Sequence, residues 1–335
     1  MTAYKSFAFA VLVIGSVSNA YVENSDGARG SQFQTPAGMG LMAQLRTSRD
    51  GDVIKLGNKD YGVVTVPPVS HVSPVQIDAR GARFVGIVLK GVSGLIVEGG
   101  TVVGPGGRSY GISISGSENI KISGMTVTGA HRGVVINKSQ NISLLSNSLT
   151  GLLSDGIDIA QSRKIVVRGN SCANFSPTMD SYDATGKLLK GGGDHPDCIQ
   201  AWSRSDAPPT SDLTIERNRI VGKMQGIFLG NHMRNGIDDG GFDRVVIRDN
   251  IIRVSMYHGI AVYNARDTVV TGNAVSTLPG NFNPKRPDQP IKAWIRVIGG
   301  YATVCGNTVT DFPRSLEARA CQTNTTLAHL DQPGR

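Results

Sequence analysis

LIVEGGTVVG (residues 95–104), IKISGMTVTG (120–129), ISLLSNSLTG (142–151) and IVVRGNSCAN (165–174) are four versions of one phrase. Each holds a short β-rich run, then Gly or Asn, then a second β-rich run. Four more follow: LTIERNRIVG (213–222), VVIRDNIIRV (245–254), VVTGNAVSTL (269–278) and ATVCGNTVTD (302–311). Aligned on Gly100, Gly124, Asn147 and Asn170, the gaps are 24, 23 and 23 residues. A third run begins at a Gly in most repeats: GISIS (111–115), GVVIN (133–137), GIDIA (156–160), GIFLG (226–230) and GIAVY (259–263), with CIQAW (198–202) as the variant. Three short strands per turn specify a parallel β-helix, an all-β solenoid. Matching positions then stack one coil above another, ~4.8 Å apart.

The rest of the chain agrees with about ten such coils, right-handed by the twist rule. Gly accounts for 42 of 335 residues, aromatics for only 6%, and helical periodicity is almost absent after residue 50. Alternation places Ile157 and Ile159 inside and Asp158 outside. Asn147, Asn170, Asn218, Asn250, Asn273 and Asn307 fall at one bend, where each amide can bond the next and Asn tolerates a left-handed backbone. They read as a structural ladder.

Residues 1–20 read as a secretory signal: Lys5, an apolar stretch from Phe7 to Val17, and small residues Ser18 and Ala20 before the cleavage point. The mature chain is expected to be secreted or periplasmic, without a membrane segment, and monomeric. Residues 21–38 read as a flexible segment, 39–322 as the β-helix and 323–335 as a tail. Leu41, Met42 and Leu45 form one face of a short helix that would cap the first coil. Cys305 and Cys321 are placed to form a disulfide in the last turns. Cys172, equivalent to Leu149 and Ile220, reads as a buried thiol, and Cys198 replaces a turn Gly. No CxxC pair supports zinc.

The net charge is +8 and the pI near 9.4. Such a surface favours an anionic partner. No nucleic-acid motif or basic–aromatic series is present, so an acidic polysaccharide is the expected partner. His71, His131 and His329 read as surface residues. The sequons at Asn137, Asn141, Asn174 and Asn324 read as chance matches in a chain rich in Asn, Ser and Thr.

Aligning the third strands gathers the chemistry on one strip. The position before the turn Gly runs Tyr110, Arg132, Asp155, Asp197, Gln225, His258. The central outward position runs Ser113, Val135, Asp158, Gln200, Phe228, Ala261, Arg296, and the next outward one Ser115, Asn137, Ala160, Trp202, Gly230, Tyr263. The densest stretch is GGGDHPDCIQAW (191–202), with Asp194, His195 and Asp197 within four residues. An insert precedes it, since Asn170 and Asn218 lie 48 residues apart. Further inserts, GNHMRNGIDDGGFD (230–243) and LPGNFNPKRPDQPIK (278–292), follow on the next coils, and inserted loops commonly wall a binding cleft. Arg168, Arg217 and Arg248 form a separate stack that reads as solvated.

These repeats resemble the pectin-lyase-like β-helix superfamily, and residues 39–62 resemble the start of its secreted lyases and epimerases. SDGIDI (154–159) and PDCIQ (196–200) are similar to the NTDGxDI and DDCxA motifs of polygalacturonases. Those enzymes place three Asp on adjacent coils for inverting hydrolysis, and Asp155 and Asp197 match two of them. Pro196 stands at the third, Gln225-Gly226 replaces the expected His-Gly, His258-Gly259 comes one coil late, and the Arg-x-Lys is missing. HPDxIQ, QGIF and HGIxV also resemble a group of bacterial β-helix proteins.

The function expected first is cleavage of a uronate polysaccharide by β-elimination. Calcium held by Asp158 and Asp194 would neutralise the uronate, and His195, His258 or Lys223 would take the C5 proton. The alternative is hydrolysis by Asp155 and Asp197. A non-catalytic glycan-binding or adhesion protein is the third reading. Gln200, Trp202, Gln225, Arg132, Asn231 and Tyr263 are the expected substrate contacts, with the Asp238–Asp239 loop as a secondary calcium candidate. Asp197 is expected to be exposed, so that its replacement leaves the fold intact.

Overall fold

The computed structural model describes residues 33–230, 233–234, 237–310, 318–320 and 325–326. The repeats wind into a right-handed parallel β-helix with three sheets of eleven, ten and nine strands, each ordered as the coils follow one another. The third runs form the nine-stranded sheet, from Val63–Val66 to Trp294–Ile298. Ile157 pairs with Ile199, Ile199 with Ile227 and Ile227 with Ile260, so one interior column runs through four coils as the alternation required. Ile112, Ile114, Ile136 and Ile159 are fully buried beside it. Period-2 alternation thus supplies a core of stacked aliphatic columns, each buried side chain contributing ~1.5–3 kcal/mol.

The Asn ladder is present and continuous. The amide Nδ2 of Asn147 donates to Oδ1 of Asn170 at 3.0 Å, and the same bond links Asn170 to Asn218 (3.1 Å), Asn218 to Asn250 (2.9 Å), Asn250 to Asn273 (2.8 Å) and Asn273 to Asn307 (2.9 Å). Two details differ from the sequence reading. Met125, not Gly124, shares the Asn position, because its N–H donates to Asn147 Oδ1. The left-handed residue is the one before each Asn: Ser146, Gly169, Arg217, Asp249, Gly272 and Gly306. The bend needs φ > 0 there, and the Asn itself serves the ladder. Asn218 donates to Val167 O and accepts from Asn170 N–H. Asn218→Ala removes the buried acceptor of the Asn170 N–H, and is expected to cost about 2 kcal/mol. Urea unfolding checks this, and an unchanged midpoint would deny the ladder a stabilising role.

The cap is helix Pro36–Thr47, beginning before the expected residue 39. Thr35 caps it by accepting the Gly38 N–H at 3.1 Å, and Pro36 occupies the first helical turn. Leu41, Met42 and Leu45 are buried, as expected. A Cβ on Gly38 would sit 2.2 Å from the Tyr61 carbonyl, so this approach to the first coil requires Gly. Among the described residues no helix is long and apolar enough to cross a membrane.

Three further expectations are corrected. Cys172 is not a free thiol: it is disulfide-bonded to Cys198. Both point into the coil from different sheets, with Cα atoms 5.9 Å apart, within bridging reach. Cys305 is also disulfide-bonded, while Cys321 lies outside the described residues. The arginine stack is an ion-pair ladder: Arg168 and Arg248 both pair with buried Glu216 between them, while Arg217 occupies a left-handed bend. His71 is buried, not superficial, with Nδ1 3.2 Å from Asp50 and Nε2 3.3 Å from Ser48. His329 lies outside the described residues.

Candidate active site on the nine-stranded sheet

The outward columns register as aligned. Arg132 pairs with Tyr110, Asp158 with Val135 and Gln200, Asp197 with Gln225, and Trp202 with Ala160 and Gly230. A glycine column makes this strip possible. A Cβ on Gly156 would lie 2.5 Å from the Cys198 carbonyl, so the chain can bend this tightly just after Asp155 only without a side chain. Cys198 breaks the column and is tied inward by its disulfide, immediately after Asp197.

One half of the strip is acidic. Asp155, Asp158 and Asp197 are at most 4% exposed, on the outward side yet covered. The expected exposure of Asp197 is therefore wrong: it is buried, at 1%. Arg132 Nη1 lies 3.0 Å from Asp158 Oδ2, and its Nε lies 3.3 Å from Asp155 Oδ2. Asp155 Oδ1 accepts the Asp197 N–H at 2.9 Å, joining the two coils. Gln200 Nε2 donates to Asp197 Oδ2 at 3.2 Å. Neither Asp158 oxygen has an aligned hydrogen bond, and Asp197 Oδ1 has no partner.

Burial drives the protonation states. Desolvation, then the Asp155 and Asp158 charges, pushes Asp197 well above the carboxylate range. Desolvation and Asp155 do the same to Asp158, against Arg132. Asp155 is raised less, because Arg132 and the Asp197 N–H oppose its desolvation. One guanidinium faces two of the three buried carboxyls, Asp155 and Asp158, and none faces Asp197. Asp155 is therefore the best placed to stay ionised, with Asp197 holding a proton.

The other half is aromatic. Phe228 stacks on His258 (centroids 5.0 Å apart) and meets Tyr263 edge-on at 5.8 Å. Trp294 stacks on Tyr257 at 5.1 Å and lies 5.9 Å from His258. Arg296 lies 6.0 Å from the ring centres of both Tyr263 and Trp294. Burial, then the charges of Arg296 and His195, lowers His258 to about 4, so it is neutral at pH 7. Burial also raises the Tyr263 hydroxyl.

Most of the expected residues meet on this face, but not all. His195 is exposed, its N–H held by Asp194 Oδ1 at 2.9 Å. Asp194 reaches His131 Nε2 at 3.8 Å, so His131 borders the strip instead of standing apart from it. Trp202 is half-buried on its outward column. Lys223 is exposed in the bend before strand Gln225–Gly230 and makes no ion pair among the described residues. Asn231 lies outside the described residues. Asp238 accepts from the Gly240 N–H and Asn264 Nδ2. Arg132 already supplies a cation to Asp155 and Asp158, and among the described residues no group of three His, Cys, Asp or Glu is placed to hold a metal.

Trp294 was missed because of a register shift: His258 pairs with Trp294 but Ile260 with Ile295, one residue short of regular spacing. Arg296 and Phe228 were aligned on the strip, but their partners come from neighbouring coils. The inserts form short hairpins flanking this sheet, Ser181–Tyr182 with Leu188–Lys190 and Phe282–Asn283 with Arg286–Pro290. They touch, since a Cβ on Gly186 would meet the Lys285 carbonyl at 2.4 Å.

Residues 75–275 match the family described as right handed beta helix region. The chain belongs to this family. The matched span takes in the acidic half and ends before Trp294 and Arg296. The Dettilon tailspike protein is similar in fold, with TM-score 0.50 and 14% identity, over 83% of this chain and 58% of that one. This chain thus spans little more than half the tailspike's length. The family 28 exopolygalacturonase of Yersinia enterocolitica gives TM-score 0.46 at 11% identity, over 86% of this chain and 74% of its own. The alginate lyase of Paenibacillus sp. gives 0.41 at 15%, over 86% and 97%. At such identities the likeness is of fold. Among curated proteins none matches this chain.

Proposed function

We propose that the protein is an exported carbohydrate-active enzyme that hydrolyses an acidic polysaccharide, with Asp197 as proton donor and Asp155 as its ionised partner. One observation carries this reading: two carboxyl groups on adjacent coils are joined through the Asp197 N–H, and burial raises both, Asp197 well above the carboxylate range and Asp155 less because Arg132 opposes it. In the step inferred, the Asp197 O–H protonates the glycosidic oxygen as its bond to the anomeric carbon breaks. Asp155 takes a proton from the water whose oxygen bonds that carbon.

This reverses the order of the two chemistries expected from sequence. Elimination needs a base beside an unneutralised cation. Arg132 is committed to two carboxylates, and Lys223 is exposed and makes no ion pair among the described residues. His258, neutral at pH 7, and the Arg296 guanidinium, close enough to lower it and unpaired among the described residues, are the base and cation that would favour elimination. The proposed location is secreted or periplasmic, the partner an acidic glycan and no nucleic acid, and the assembly monomeric. Calcium is a separate proposal resting only on the acidity around Asp158 and Asp194, and no step above uses it.

The test is a panel of uronic-acid and neutral polysaccharides, read for new reducing ends and for ultraviolet absorbance of unsaturated uronates. The expected result is reducing ends without that absorbance. Absorbance rising in step would establish elimination, and glycan binding without any turnover would establish the adhesion reading.

A further inference from the structure

Beyond the carboxylates, the column before the bend continues through Gln225, His258 and Trp294. Each leaves a buried polar atom without a partner: Gln225 Oε1, His258 Nδ1 and Trp294 Nε1. Unmade hydrogen bonds of this kind are rare in folded proteins, and three on successive coils of one sheet each call for a partner that the described residues do not supply. The last of them is the most specific. An indole N–H is a donor only, so it calls for an acceptor.

Arg296 stands beside it. Its guanidinium lies over Trp294 and Tyr263, and among the described residues it pairs with no carboxylate. This separates it from Arg132, whose charge is spent on Asp155 and Asp158. A cation held over two aromatic rings fits an anionic oxygen pair, and the aromatic faces of Phe228 and Tyr263 fit the apolar face of a sugar ring.

We infer that Arg296 and Trp294 form a subsite for the carboxylate of one uronic-acid unit, and that this subsite is what makes the enzyme select acidic glycans. It rests on the hydrolytic reading above and adds the specificity determinant. From Asp197 to Trp294 is three coil steps, or about 14 Å at ~4.8 Å per coil. The recognised unit therefore lies away from the bond cleaved, and its binding energy is used to position the distant bond.

The test uses Arg296→Gln in the full chain, with the circular dichroism spectrum confirming the fold. Wild type and variant are compared on a polyuronate and on the same polymer after carboxyl reduction. The variant is expected to show a 10- to 100-fold rise in KM on the polyuronate, about the loss for one charged hydrogen bond, and no change on the reduced polymer. Trp294→Phe, which keeps the ring and removes the N–H, should move KM in the same direction by less. Equal effects on both polymers, or an unchanged KM, would overturn the subsite. A wild type inactive on every polyuronate would instead overturn the hydrolytic reading.

Discussion

Asp197→Asn is expected to lower turnover on the acidic polysaccharide by ~10²–10⁴-fold, the range for losing a positioned acid–base group. The variant should remain folded, for a reason opposite to the one the sequence suggested. Asp197 is buried, and its environment already favours the neutral carboxyl. Asn supplies a neutral group of the same shape, and its oxygen can still accept from Gln200 where Asp197 Oδ2 does now. A proton donor with a raised pKa also sets an alkaline limb. Activity is present while Asp197 holds its proton and falls as pH rises through its folded pKa. The variant's residual activity should lack that limb. Full activity in a folded variant, or an unchanged alkaline limb, would move the chemistry off Asp197.

The strip was legible because a solenoid converts repeat alignment into geometry. Tyr110, Arg132, Asp155, Asp197, Gln225 and His258 were aligned by spacing alone, and the strand register places them so. What spacing cannot carry is depth. Asp158 alternates outward, yet it has no exposed surface because Arg132 covers it from the coil before. Whether an outward carboxylate is solvated or sealed depends on the lengths of side chains one coil away, and alternation says nothing of these. The disulfide was missed for a related reason. Cys172 and Cys198 belong to different sheets that face each other across the interior, while alignment compares positions only within one sheet. The Arg168–Glu216–Arg248 ladder was misread because Glu216 shares their column and Arg217, adjacent in sequence, does not. Trp294 escaped because one residue of register is lost on its strand.

Arg132 is expected to be the residue whose loss most destabilises the fold. Arg132→Met keeps much of the length of the side chain and removes the only cation within 4.0 Å of Asp155 and Asp158 among the described residues. Breaking a buried pair by deleting one partner leaves an uncompensated charge and costs roughly 3–5 kcal/mol. The size of the loss should depend on pH, with a definite sign. Burial raises both carboxyls above their unfolded values, and Arg132 is the named charge that lowers them. Removing it raises them further. A carboxyl with a raised folded pKa binds more protons folded than unfolded, so its stabilising share is complete below ~pH 4 and is lost as pH rises through the folded value. The deficit of the variant should thus be small in acid and grow toward neutrality. Melting temperatures of both proteins across that range measure it. Adding Asp158→Asn to the variant removes one of the two carboxyls left without a cation and should restore part of the loss, a coupling that two independent sites would not show. A pH-independent offset between the two proteins, with no recovery in the double variant, would mean that Arg132 acts by packing and that Asp155 and Asp158 do not depend on its charge.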